Sequence, residues 1–335
     1  NKYYTYLKHK IETNDIYEID QCYKLIAQTR DIVNGKGLYM MSYKLLEIWV
    51  KLAYIENVID PVNIKNALNC FVSLKQDNIS IHPYGSWKDL KYFANYLVVE
   101  KKLIDKNHSL IHYISEMYAK QIQIDSVKNS QNGESLSLVG KWAPRENSKF
   151  KWLALLIATK YSNLVNNSLL SKKQRMIQYR HAISNLNKLL DTTQIKQCSQ
   201  NWAMINFNNV TSITMNKQTL AFNYVYKNGN IRGENEDRIK CAENLKTFVN
   251  EIKNSNKTIN GKNVELSNMV KNAFFYCMND FKLEKEILES QWKSNSKQNE
   301  NLGEFIPMID TSGSMEGLPL YSAIGLGIRC SEKSI

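Results

Sequence analysis

A mainly α chain, built as an irregular α-solenoid and followed by the first strand and helix of an α/β unit, is the fold this sequence predicts. Three observations lead there. Apolar residues recur at three- and four-residue spacing through most of the chain. Helix-start signals precede several of these stretches. Near the C-terminus, Phe305-Ile306-Pro307-Met308-Ile309 forms a short apolar run, continues into Asp310-Thr311-Ser312-Gly313-Ser314, and gives way to another helical pattern.

Taken in order, helices are expected over residues 16–29 and 38–55. Asp60-Pro61 reads as an N-cap followed by proline at the first helical position. Val62, Ile64, Leu68, Phe71, Val72 and Leu74 follow at mostly helical spacing. Ser86-Trp87-Lys88-Asp89 is a capping-box-like start, and its helix carries Leu90, Phe93, Ala94 and Leu97 on one face. Further helices are expected over 109–124, 149–161, 172–190, 239–252 and 279–292, mostly with short loops. Amphipathic helices in such a series form an α-solenoid. The clean period of ankyrin or tetratricopeptide arrays is missing, which points to irregular HEAT-like repeats. Periodicity alone also admits a single helical bundle. Three polar stretches punctuate the series: 125–137 as a loop, 228–237 as an exposed insertion, and 294–300 as a low-complexity linker. The expected organisation is a helical domain over 1–293, a linker over 294–303, and the start of an α/β domain over 304–335.

The length of 335 residues suits about two domains. With 43% hydrophobic residues, a sizeable core is available. The longest apolar run, Trp152-Leu153-Ala154-Leu155-Leu156-Ile157-Ala158, is far too short to cross a membrane. No N-terminal signal pattern is visible, although a chain that starts at Asn1 leaves a preceding segment open. Cys22, Cys70, Cys198, Cys241, Cys277 and Cys330 are scattered and include no C-x-x-C pair, the pattern of reduced thiols and a cytoplasmic protein. The net charge of +12 suits a polyanionic partner. Lys greatly outnumbers Arg, as AT-rich coding sequence would also produce, so charge alone leaves both explanations standing.

The segment around Asp310 offers specific chemistry. Mg²⁺ takes near-octahedral oxygen ligands and keeps several waters. A turn leaving a strand presents alternate residues on one side, here Asp310, Ser312 and Ser314, the opening of a metal-ion-dependent adhesion site. Gly313 lets the backbone bend, and Leu320, Ala323, Ile324, Leu326 and Ile328 supply a helix to pack on the sheet. One carboxylate and two hydroxyls leave a divalent ion able to accept an acidic residue from a protein partner. Asp310-Thr311-Ser312-Gly313 departs from the aspartic-protease Asp-Thr-Gly, because Ser312 stands where glycine is needed. Gly313-Ser314-Met315-Glu316-Gly317 is no nucleophile elbow, because serine occupies the second position.

Candidates for RNA need cations for phosphate and aromatic or guanidinium faces for bases. Lys141, Trp142, Arg145, Lys149 and Lys151 form the best local cluster. Lys172, Lys173, Arg175 and Arg180 form a second, on one broad helix face. Arg30 and Lys36 flank a Gly-rich turn that is not a Walker A loop. The bland alternatives are that Trp87 and Trp142 serve the core or a cap, and that 172–180 is a solvated helix face. His108 and His112 are four apart but lack the glutamate of H-E-x-x-H. No Ser/His/Asp set, paired-carboxylate motif or cofactor fingerprint appears, so a non-enzymatic protein is expected.

Several segments together resemble an uncharacterised family of giant viruses, fungi, plants and bacteria that joins a TROVE-like helical region to a von Willebrand factor A-like domain. They are Thr29-Arg30-Asp31-Ile32-Val33-Asn34-Gly35-Lys36-Gly37, Tyr84-Gly85-Ser86-Trp87-Lys88-Asp89-Leu90, Gly140-Lys141-Trp142-Ala143-Pro144-Arg145-Glu146, Tyr179-Arg180 onward, Trp202-Ala203-Met204-Ile205-Asn206-Phe207, and the Asp310 motif. The architecture is similar to that of the Ro autoantigen. The resemblance implies a ring or arc of HEAT-like helices that binds single-stranded or structured RNA. It also implies a von Willebrand factor A-like domain, incomplete here, whose metal loop falls on Asp310, Ser312 and Ser314. The alternative it leaves is a protein-interaction or virion-associated scaffold gripping an acidic partner residue through Mg²⁺. The expected place is the cytoplasm, meaning the host cytoplasm or the virion if the protein is viral, with no membrane partner.

Overall fold

The computed structural model describes residues 2–72, 74–76, 79–128, 136–165, 169–255 and 257–334, with the backbone alone for 74–76 and 79–81. Among them the chain is mainly helical, as the apolar spacing predicts, and it divides into two compact units, Asn1–Asp191 and Thr192–Ile335. That division falls inside the stretch expected as one helical domain. No described helix is long and apolar enough to cross a membrane.

The first unit runs α1 (Lys2–Glu12), α2 (Ile16–Arg30), α3 (Tyr39–Tyr54), α4 (Val62–Val72), a small hairpin of β1 (Leu74–Gln76) and β2 (Ile79–Ile81), α5 (Trp87–Asn95), α6 (Ser109–Lys128), α7 (Val139–Trp142), α8 (Lys151–Leu164) and α9 (Lys172–Leu190). The hairpin is antiparallel and pairs Leu74 with Ile81. Asp60 caps α4, its Oδ1 accepting the Val62 N–H at 2.8 Å. Ser171 caps α9 reciprocally with Gln174. A π-helical turn, Tyr96–Glu100, continues α5. The core is one cluster that includes Leu46, Trp49, Leu68, Phe71, Phe93, Tyr118, Ile157 and Tyr179, all buried. The loop expected at 125–137 begins late: α6 continues to Lys128, and buried Asp125 accepts from Gln121 and from both the N–H and Oγ of Ser137. The rest of that loop, 129–135, lies outside the described residues.

One polar knot sits inside this core. Asp89 is 1% exposed and Arg30 is 7% exposed. The guanidinium grips the carboxylate bidentately, Nε to Oδ1 and Nη2 to Oδ2, both at 2.7 Å. Tyr43 donates to Oδ1 at 2.7 Å, and the Ser86 N–H and Oγ donate to Oδ2 at 2.7 and 3.0 Å. Helices α2, α3 and the start of α5 therefore meet on one carboxylate. Burial alone would raise the Asp89 pKa, but the Arg30 charge and the Tyr43 and Ser86 hydroxyls reverse this and hold it below its ordinary value.

The second unit runs α10 (Thr193–Cys198), α11 (Ser212–Phe222), α12 (Glu236–Asn254), α13 (Leu266–Met278), α14 (Lys282–Ser296) and α15 (Leu318–Lys333). Phe207, Met215, Phe222, Leu245, Phe248 and Ile287 share its main core. Gln291 is fully buried and ties three segments together: Nε2 donates to the Ser212 and Asn260 carbonyls, while Oε1 accepts from Asn216. Gly261 lies against the same turn of α14, where an added Cβ would stand 2.0 Å from the Gln291 carbonyl oxygen. The expected linker likewise starts late, because residues 294–296 complete α14 and buried Ser294 accepts the Gly261 N–H. The insertion at 228–237 is an exposed turn closed by a Val225–Ile231 bridge, but Glu236 and Asp237 already belong to α12.

The strand expected at 305–309 does not form. That segment has no ladder, and a single parallel bridge joins Gly303 to Ser334 nearby. A strand exists only through the backbone bonds of a neighbour, and no described segment offers them. The alternating pattern survives without the sheet: Ile306 is 94% and Met308 99% exposed, while Pro307 and Ile309 are half-buried. The helix expected after it does form, as α15, and packs on α13.

Removing the Asp89 charge leaves a buried, unpaired guanidinium, so Asp89→Ala should destabilise the first unit by about 3–5 kcal/mol in denaturant titrations. Because its folded pKa is depressed, the stabilisation is complete above the unfolded value of about 4 and fades as pH falls through the lower folded value. Denaturation curves from pH 6 to pH 2 should show this loss in the wild type and a shallower one in Asp89→Asn. For the second unit, Gly261→Ala should cost about 1–3 kcal/mol by overpacking against α14, read as a lowered Tm.

Candidate nucleic-acid interface

Helix α5 is amphipathic in a way that turns a basic face outward. Leu90, Phe93 and Ala94 are buried, whereas Lys88, Lys91 and Tyr92 stand at i, i+3 and i+4 on the other side. The segment 139–150 is brought against that face from far along the chain. Its position is set by α9: Asn187 Nδ2 donates to the Gly140 carbonyl at 2.7 Å, and the Tyr179 hydroxyl donates to the Pro144 carbonyl at 3.0 Å. Gly140 permits the approach, since a Cβ there would lie 2.8 Å from Leu186 Cβ. Arg145 Nη2 also donates to the Gly140 carbonyl, at 3.1 Å, closing the loop on itself.

The result is a cluster of cations around shared rings. The ammonium groups of Lys88, Lys91 and Lys141 lie 5.6, 5.4 and 5.5 Å from the Trp142 ring centre. Lys88, Lys91 and Lys149 lie 5.3, 5.9 and 5.2 Å from that of Tyr92. Lys91 and Lys149 lie 5.2 and 5.3 Å from Phe150, and Lys88 also reaches Tyr39 at 6.0 Å. These distances fall within the range of cation–π attraction. None of Lys88, Lys91, Lys141, Arg145 and Lys149 forms an ion pair with a carboxylate among the described residues. Burial, then the charges of Arg145 and Lys88, push the Lys91 pKa down to about 8. Burial lowers that of Lys141 as well. Protonated lysines crowded in this way repel one another, and an anion placed among them relieves both the repulsion and the lost hydration.

Four of the residues singled out from sequence, Lys141, Trp142, Arg145 and Lys149, thus converge. Lys151 is exposed at the start of α8 and takes no part in these ring contacts. Lys172 and Lys173 are exposed in the first turn of α9, where Arg175 also lies half-buried. Arg180 approaches Glu146 at 3.5 Å. Arg30 is a correction to the sequence reading: its guanidinium is buried and committed to Asp89, so it is not available to phosphate. Lys36 is exposed on the turn after α2, whose backbone folds back through Lys36 N–H to the Gln28 carbonyl and Gly37 N–H to the Asp31 carbonyl. The sequence reading missed Lys88, Lys91, Tyr92, Phe150 and Tyr39. The available signal was the Lys-x-x-Lys-Tyr spacing on the polar face of α5, but nothing local linked it to residues 141–150.

The Asp310 segment is exposed throughout. Asp310 Oδ1 accepts the Ser312 N–H at 2.9 Å, which lowers its pKa, and the Ser312 and Ser314 hydroxyl oxygens lie 3.0 Å apart. These three side chains therefore share one turn. Among the described residues, no group of three or more His, Cys, Asp and Glu side chains is placed to hold a metal ion.

The chain is similar to the uncharacterized protein L728 of Acanthamoeba polyphaga mimivirus, with 25% identity over 321 residues. That alignment covers 92% of this chain and 50% of the relative, so the chain spans about half the length of the curated protein it matches. No solved structure gives a significant match. The domain of unknown function DUF2828 matches residues 91–304, which take in Lys91, Tyr92 and the 141–150 segment and stop short of Asp310. With more than half of its length inside that match, the chain belongs to the DUF2828 family.

Proposed function

We propose that this protein is a non-enzymatic RNA-binding protein, and that the cluster on α5 and residues 141–150 is where RNA lies. The carrying observation is the grouping of four lysines, without ion-paired carboxylates among the described residues, around Tyr92, Trp142 and Phe150, with the Arg145 charge acting on Lys91. Ammonium and guanidinium groups neutralise phosphates, and the half-buried Trp142 and Tyr92 rings present faces to unpaired bases. The net charge of +12 and the resemblance to TROVE-like helical regions support the same reading. In this reading the helices form an irregular HEAT-like array that presents the cluster to single-stranded or structured RNA.

A second reading is favoured by one observation, the oxygens of Asp310, Ser312 and Ser314 gathered on an exposed turn. It makes the segment the metal loop of a von Willebrand factor A-like unit that grips an acidic partner residue through Mg²⁺ on a protein-interaction scaffold.

Single-stranded RNA should bind the wild-type chain at low salt, with log K falling against log salt at a slope near −3, since each neutralised phosphate contributes about −0.7. Lys149→Gln should reduce the slope by about 0.7. Trp142→Ala should weaken binding by about 1–3 kcal/mol if a base stacks there. Fluorescence anisotropy across a salt series reads all three, and absent or salt-indifferent binding defeats the proposal. For the second reading, capture of an acidic partner should be lost on chelation and in Asp310→Ala; capture that survives both removes it.

A further inference from the structure

Among the lysines of the cluster, Lys91 has an unusual position. It is half-buried on α5, held over three aromatic rings, Phe150 at 5.2 Å, Trp142 at 5.4 Å and Tyr92 at 5.9 Å. Several other lysines of this unit have anionic partners: Lys8 pairs with Glu56, Lys10 with Asp15, Lys51 with Glu47 and Lys160 with Glu116. Lys91 has none among the described residues, and its charged neighbours, Lys88 and Arg145, are both cations. Desolvation together with neighbouring positive charge is the arrangement that turns a lysine into an amine nucleophile.

We propose that Lys91 is a covalent site for small anionic aldehydes and ketones, with Lys88, Arg145 and Lys149 holding the ligand's phosphate or carboxylate while the amine reacts. This uses the same cluster as the RNA reading but does not depend on it. The Lys91 ammonium first loses a proton to solvent. The Nζ lone pair then forms a bond to the carbonyl carbon, and the C=O π pair moves to oxygen. Proton transfer from nitrogen to oxygen through water gives a carbinolamine. The hydroxyl then takes a proton from solvent, the nitrogen lone pair expels it as water, and return of the nitrogen proton to solvent leaves an imine. Amine plus carbonyl becomes imine plus water, with no change of oxidation state. With its pKa brought down to about 8 by burial and the neighbouring cations, Lys91 carries far more free amine near neutral pH than an ordinary lysine.

The probe is pyridoxal 5′-phosphate, added in slight excess to the full chain at pH 7.5, trapped with borohydride, and mapped by peptide mass spectrometry. Lys91 should be modified on the order of tenfold faster than exposed Lys172 and Lys173. Pyridoxal lacking the phosphate should react several-fold more slowly, and Arg145→Ala should slow the phosphorylated probe by a similar factor. Lys91→Arg should abolish the fast phase, because a guanidinium forms no imine. Retained labelling with no RNA binding would overturn the RNA reading alone. Labelling spread evenly over surface lysines, or a folded protein with Lys91 unmodified, would overturn this proposal and leave the RNA reading standing.

Discussion

A single buried carboxylate organises the first unit. Asp89 collects five hydrogen bonds from Arg30, Tyr43 and Ser86, and thereby joins the end of α2, the start of α3 and the start of α5. Taking a carboxylate and a guanidinium out of water is costly, and only near-complete satisfaction of their bonding capacity makes such a pair tolerable. Tyr43 and Ser86 supply the donors that the guanidinium cannot. The capping residue of α5 is therefore also a wall of the knot, so the position of that helix follows from the electrostatics of the core.

The consequence reaches the surface. Lys88 and Lys91 lie on either side of Asp89 in α5, and a helix anchored at that point cannot rotate to spread its lysines. The 139–150 segment is held from the other side by Asn187 and Tyr179 of α9. Crowded like charges survive because both supports are built into the core, and the aromatic rings between them return part of the lost hydration as cation–π attraction. Such an arrangement stores electrostatic free energy that an anion placed there would release. It also perturbs one amine more than the rest, because Lys91 is the lysine both desolvated and flanked by cations.

Much of the family-like pattern turns out to be structural. Arg30 and Asp89, which belong to two separate motifs, are partners, and Gly140 serves close packing against Leu186. In the second unit, the Asp237 carboxylate accepts the N–H groups of Trp202 and Ala203, while Arg238 stacks 3.5 Å from the Trp202 ring centre. Those contacts explain why Trp, Ala and a capping acid occur there without any ligand. The Asp310 segment differs: its residues meet each other and solvent, and the apolar side chains of Ile306 and Met308 face outward.

Most helices whose apolar residues repeat at three and four positions were legible from sequence, because that period is local and each helix carries its own backbone bonds, although α1 and α13 share the period and were not expected. Residues 172–190 and the cap at Ser86 are the clearest examples. Helix α11, with a weak apolar stripe, was missed because its burial depends on partners such as Gln291. A strand at 305–309 was misread because a strand's bonds belong to its neighbours. For the site, sequence by itself determined which segment carries Lys141, Trp142, Arg145 and Lys149. Only the tertiary structure decided that Lys88, Lys91 and Tyr92 join them and that Arg30 does not. The physical reason is that burial, ion pairing and cation crowding are long-range properties, set by what packs against a residue and not by what stands beside it in the chain.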